Sequence, residues 1–207
     1  MTLKIFALSV SIVVSVLLVR SSLAADPGAL KKNFSAEVET TTTRGTITAK
    51  FFQKNGKQRM EQNARGMITV NIARPDKKVV WMLMPDSKEY LEMPLDSKQD
   101  ISSQLDDPGI KKDKKLLGNE TLDGHHARKY HVTIISNGKK EDAGFIWEAS
   151  DLNDFPVKYQ NEDKTITTVW KNIKFGGVPD SLFVIPAGYK KIEVSRGGTN
   201  NPAVPGK

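Results

Sequence analysis

Apolar residues recur with period two along most of the chain. Phe34, Ala36 and Val38 share one face of an extended segment, as do Ile47, Ala49 and Phe51. Ile68, Val70 and Ile72 repeat the pattern, with Met67, Thr69 and Asn71 opposite, and later runs carry it through Tyr130-Val132-Ile134, Phe145-Trp147, Val157-Tyr159 and Ile166-Thr168-Trp170. Alternation of this kind is the mark of strands with one buried face, and about ten are expected. Between them, Asn55-Gly56, Asp123-Gly124 and Asn137-Gly138 supply the positive φ that two-residue hairpins need, so three tight hairpins are expected. Arg74-Pro75-Asp76-Lys77 and Met84-Pro85-Asp86-Ser87 read as Pro-led turns and Asn161-Glu162-Asp163-Lys164 as a further tight turn. Helix is confined to two short candidates, Asp26 to Lys32 and Ser97 to Leu105, the second stopped by Asp107-Pro108-Gly109.

One strand pair breaks the rule. Val79-Val80-Trp81-Met82-Leu83-Met84 and Tyr90-Leu91-Glu92-Met93 are apolar on both faces, so something must cover both sides. Met67, Met82, Met84 and Met93 gather here, and methionine is the side chain that adapts to irregular apolar cavities. A core strand under the Ser97 to Leu105 helix and a ligand-cavity wall give the same pattern. Which parity of Val79 to Met84 faces inward is open, because a one-residue slip across Pro85-Asp86-Ser87 exchanges the faces.

The first 24 residues are of another kind. Lys4 precedes Ile5 to Val19, fifteen residues without a charge, and Arg20 and Ser22-Leu23-Ala24 follow. This reads as a secretory signal cleaved after Ala24, since an uncleaved anchor needs about 20 apolar residues. Residues 25–194 then form a single domain, and residues 195–207, which lack apolar periodicity, are expected to be a disordered tail. The chain of 207 residues contains no Cys. Thiol catalysis, disulfides, Cys-ligated metal and acylation are therefore excluded, and an exported chain without Cys fits a periplasm.

Without the leader the net charge falls from +7 to +5, too mild to imply nucleic acid. No G-x-S-x-G, Walker, H-E-x-x-H or G-x-G-x-x-G spacing occurs, which disfavours an enzyme, and no cofactor is expected. His125 and His131 lie roughly 20 Å apart on a strand and His126 points away, so they share no metal. Asp151-Leu152-Asn153-Asp154 lacks the Gly and distal Glu of a calcium loop and reads as a solvated loop. Lys111, Lys112, Lys114 and Lys115 also read as a solvated loop, the competing reading being transient contact with an anionic membrane surface.

Four stretches carry a resemblance: Asn55-Gly56-Lys57-Gln58-Arg59-Met60-Glu61; Arg74-Pro75-Asp76-Lys77-Lys78-Val79-Val80-Trp81 through Lys88-Glu89-Tyr90-Leu91-Glu92-Met93-Pro94; Gly118 through Tyr130; and Leu182-Phe183-Val184-Ile185-Pro186-Ala187-Gly188-Tyr189. From about Phe34 to Glu193 the chain resembles an exported bacterial family of uncharacterised function, related in fold to the LolA/LolB outer-membrane lipoprotein carriers. The resemblance implies a mainly β fold, an incomplete antiparallel barrel (half-barrel) lidded by one or two short helices, with a hydrophobic cavity that holds acyl chains in the carriers. A LolB-like receptor is itself acylated on Cys, so a LolA-like soluble state is the one compatible with this chain.

The expected function is a periplasmic, non-catalytic carrier or sensor of a lipid or acylated ligand, with Phe51, Val70, Trp81, Leu83, Leu91 and Met93 as candidate lining. The rival is a structural or protein-interaction module of the envelope whose barrel is filled and whose exposed edge strand binds a protein partner. Phe183 and Tyr189 are expected to drop into the barrel and close one end, before a last strand from Lys191 to Val194.

Overall fold

The computed structural model describes residues 32–64, 66–95 and 110–193. The leader, the Ser97 to Leu105 helix, all of the Asp26 to Lys32 segment except Lys32, and the tail lie outside the described residues. The described residues are mostly strand, with three short 3₁₀ turns at Pro75–Lys77, Ser150–Leu152 and Asp180–Phe183 and an irregular stretch from Gly176 to Tyr189 around the last of them.

The strands are β1 (Phe34–Thr42), β2 (Gly45–Lys54), β3 (Lys57–Ala64), β4 (Met67–Arg74), β5 (Val79–Met84), β6 (Glu89–Pro94), β7 (Ile110–Leu122), β8 (His125–Ser136), β9 (Lys139–Ala149), β10 (Phe155–Gln160), β11 (Ile166–Phe175) and β12 (Lys190–Lys191). All belong to one sheet, in the order β12-β6-β5-β4-β3-β2-β1-β11-β10-β9-β8-β7. Two meanders, β1 to β6 and β7 to β11, are sewn together by antiparallel pairing of β1 with β11. The sheet does not close, since β7 and β12 are its two ends.

It is bent toward one face. Strands two apart in a flat sheet are separated by roughly 9.5 Å. Here the rings of Phe34 on β1 and Phe155 on β10 are 4.9 Å apart between centroids, and those of Phe51 on β2 and Trp170 on β11 are 5.3 Å apart. These aromatics, with Val38, Met60, Ile146, Val157 and Tyr159, form the larger core, and the half-barrel is curled around it.

All three expected hairpins are present. Asn55 and Gly56 have φ of 50° and 77°, Asp123 and Gly124 of 51° and 82°, Asn137 and Gly138 of 51° and 73°, the left-handed pair that matches strand twist. The Pro-led turns also stand, each closed by a bond from Lys78 N to Pro75 O (3.1 Å) or Lys88 N to Pro85 O (3.2 Å).

Three expectations are corrected. The lysine-rich segment is not a loop: Lys111 to Lys115 lie in β7 and pair with β8. Lysines on both faces are compatible with a strand at a sheet edge, where they discourage further pairing. The last strand is Lys190–Lys191, parallel to β6. Phe183 is fully buried, but not inside the barrel. With Val178 it packs on Val70, Ile72, Trp81 and Leu83, and Leu182, Ile185 and Tyr189 are packed against the same group, making a second core.

The segment from Val178 to Lys191 is thus an arm laid across the convex face of β3 to β6. Arg59 Nη1 donates to the Leu182 carbonyl at 2.9 Å and Arg74 Nη1 to the Phe183 carbonyl at 2.8 Å. Lys54 and Lys57 both pair with Asp180, at 2.8 and 2.9 Å, and these bonds, Lys54 foremost, hold the Asp180 carboxyl down to about 2 from an ordinary 3.8. A depressed carboxyl stabilises the fold above its unfolded pKa and ceases to as pH falls through the folded one. The stability difference between wild type and Asp180→Asn, measured by urea unfolding, should therefore be constant above 3.8 and vanish by about 2. A difference independent of pH over that range would show that Asp180 does not hold the arm by charge.

Candidate functional site

Cross-strand register assigns every side chain of β2 to β6 to a face. Phe51, Met60, Asn71, Met82 and Leu91 are successive partners across five strands and share the concave face. Met93 and its partner Val80 belong to the same face, since they stand two positions from Leu91 and Met82. One position along each strand, Phe52, Arg59, Ile72, Trp81 and Glu92 form the equivalent row on the convex face, with Val70, Leu83 and Tyr90 beside them.

The six candidate residues therefore divide. Phe51, Leu91 and Met93 lie on the concave face, whereas Val70, Trp81 and Leu83 lie beneath the arm. They do not line one cavity. On the convex side the apolar character of β5 is explained by the arm, which is about 100 residues away in sequence. Trp81 is only 6% exposed. Its Nε1 donates to Glu92 Oε2 at 2.8 Å, and Arg74 and Lys77 stand 5.5 and 5.4 Å from its ring. Lys191 first, then this indole, holds the Glu92 carboxyl below its ordinary value.

On the concave side, Met60 and Met82 join the three candidates, and both are buried. Between them sits Asn71, whose Nδ2 is buried without an acceptor. The reading of the sequence passed over Met60 and Asn71. Met60 lies in the polar run Lys57-Gln58-Arg59-Met60-Glu61-Gln62, and Asn71 stood only as the polar partner of an apolar parity.

The same face continues to the far end of the sheet through Ile47, Thr40, Thr168, Tyr159, Ile146, Tyr130 and Leu116, each directly opposite the next. There it turns polar. Glu148 is buried and receives Lys114 Nζ at 2.5 Å, while Lys114 and Arg128 lie 5.6 and 5.9 Å from the Tyr130 ring. Arg128 Nη2 donates to Asp154 at 2.6 Å, which raises the guanidinium pKa. A surface cleft of about 330 Å³ opens beside it, lined by Asn119, Thr121, His126, Arg128 and Ser150 among others.

His125 pairs with Asp151 at 2.6 Å and His131 with Asp142 at 2.7 Å, so the Asp151 to Asp154 loop is tied to β8 through both of its carboxylates. Among the described residues no three His, Asp or Glu side chains converge as a metal site.

The chain is similar in structure to an uncharacterized conserved protein from Thermus thermophilus, at 14% identity and a TM-score of 0.54, covering 81% of this chain and 93% of that one. Weaker likenesses are to the Pseudomonas aeruginosa MucA/MucB complex (13% identity, TM-score 0.42, 79% of this chain and 60% of that one) and to LprF from Mycobacterium bovis (13%, 0.42, 81% and 95%). Identities this low speak to the fold alone. No curated protein matches the chain in sequence. The family model that does match, over residues 35–156, is a domain of unknown function, and by that match across more than half its length the protein belongs to the DUF4412 family.

Proposed function

We propose that the protein is an exported, periplasmic binding protein that carries or senses a lipid or acylated ligand on its concave face, without a catalytic step. The observation that supports this is the row Phe51, Met60, Asn71, Met82 and Leu91, flanked by Met93. It is apolar and flexible except at one position, and there a buried amide donor has no acceptor. Methionines repack around a guest, and each methylene removed from water contributes about 0.8 kcal/mol. An unmatched buried donor costs roughly 1–3 kcal/mol, and the ester or amide carbonyl at the head of an acyl chain is a group that would satisfy it. The leader at residues 1–24 accounts for export.

Native mass spectrometry of protein purified from cells tests the reading. The expected result is a bound mass that fragments to an acyl-bearing molecule. Met82→Arg should expel it while circular dichroism stays unchanged, and Trp81→Phe, on the opposite face, should leave it bound. No bound mass, together with no saturable binding of lysophospholipid, would remove the proposal.

A second reading, attachment of a protein through the sheet edge, is favoured by one observation. Leu116 and Leu117 on β7 are 55% and 47% exposed.

A further inference from the structure

We infer that β7 is a self-complementary edge at which a second copy of this chain pairs antiparallel, joining two half-barrels into one continuous sheet. The inference stands independently of the acyl-binding reading. It starts from the bulge. Lys115 is opposite His131 and Gly118 opposite Lys129, so the register slips by one residue between Leu116 and Gly118. In a regular strand Lys115 and Glu120, five residues apart, point to opposite faces. Because of the bulge they share one, the face of His131, Lys129 and Ala127.

A two-fold axis placed between Leu117 and Gly118 then sets Lys115 opposite the partner's Glu120, and Glu120 opposite the partner's Lys115. The same register sets Leu116 opposite the partner's Asn119 and Lys114 opposite the partner's Thr121, with like faces together in each of these pairs. The exposed Leu116 and Leu117 lie next to the axis, where burial is greatest.

Charge selects this arrangement over the others open to an edge. The strand is basic in its first half, at Lys111, Lys112, Lys114 and Lys115, and has no Lys or Arg from Leu116 to Leu122. Antiparallel pairing lays the basic half against the half that holds Glu120, while parallel pairing would stack lysine on lysine. Pairing β7 with the opposite end of the sheet would meet Lys190–Lys191 of β12 and again oppose like charges. A closed two-fold dimer is what remains. Lysines and bulges are devices by which edges stay unpaired. Here they disfavour parallel pairing and pairing with β12, while Lys115 has no partner among the described residues and Glu120 is exposed, 3.6 Å from Lys129 and bonded to the Trp147 indole at 2.9 Å.

The test uses the mature chain, followed by sedimentation velocity from low micromolar to millimolar concentration. Wild type should pass from monomer to dimer, more weakly at high salt. Lys115→Glu, which opposes two carboxylates at each of two positions, should weaken dimerisation at least ~10-fold, and Lys115→Glu combined with Glu120→Lys should restore it. The absence of Cys provides a second readout. Leu117→Cys sits beside the axis and should form an intermolecular disulfide under mild oxidation, whereas Ser87→Cys, distant from β7, should not. A wild type that stays monomeric overturns the inference, as does a Lys115→Glu variant that dimerises like wild type, or a Leu117→Cys chain that crosslinks no faster than Ser87→Cys. Binding of an unrelated extended peptide to a monomeric wild type would overturn it too, in favour of a foreign partner at the same edge.

Discussion

Gly144→Ala should be among the most damaging single substitutions in the protein, costing about 2–5 kcal/mol. Gly144 is in β9, where its φ of 83° lies in the left-handed region, and its amide donates to Asp142 Oδ1 at 2.7 Å. It faces Val132 where the β8–β9 register slips. An added Cβ would lie 2.3 Å from the Gln160 carbonyl oxygen and 2.7 Å from the Asn161 Cα. Both are backbone atoms at the end of β10, so no rotamer change relieves the clash and the strand itself must move. Left-handed strain of about 1–2 kcal/mol and overpacking of about 1–3 kcal/mol act together. Gly138→Ala is the matching control: its φ is 73°, but nothing stands within 4 Å, so only the strain of about 1–2 kcal/mol applies. Equilibrium urea unfolding of the two variants measures the difference. Equal losses would mean that β10 does not approach Gly144 as closely as described.

Phe183→Ala is expected to cost about 3–5 kcal/mol, the range for deleting a buried aromatic side chain. Phe183 has no exposed surface and joins the arm to Val70, Ile72, Trp81 and Leu83. Lys57 lies over its ring at 5.6 Å, and its carbonyl is held by Arg74. Its neighbour Val184 is 48% exposed, so Val184→Ala should change stability by less than ~0.5 kcal/mol. The Phe183→Ala variant should also red-shift Trp81 emission below the unfolding transition, since the arm is what keeps that indole out of water. A loss under ~1 kcal/mol, outside the usual range for such a site, would show that the arm is laid on the sheet rather than packed into it.

The two effects differ in how far they were legible beforehand. Period two and the Asn-Gly and Asp-Gly dipeptides located most of the strands and three of the hairpins, because side-chain alternation and positive φ are local requirements that local residues meet. The absence of Cys likewise bounded the chemistry without any structure. The same reasoning misread β7, because a basic run does not say whether it is solvated as a loop or as an edge. It also placed Trp81 and Met93 in one cavity. The unbroken apolar run of β5 says only that both faces are covered, and the cover of one of them, Phe183, follows about 100 residues later.

Local pattern thus determined, from sequence alone, that the chain is an antiparallel, hairpin-rich β protein. Tertiary structure decided which parity of β5 faces the arm, that Asn71 sits unmatched among methionines, and that Lys115 and Glu120 share a face. Each of these depends on register between strands or on contact between distant segments. Register is set by the sum of many weak cross-strand contacts and by single-residue bulges, and a one-residue difference in it moves every side chain to the other side.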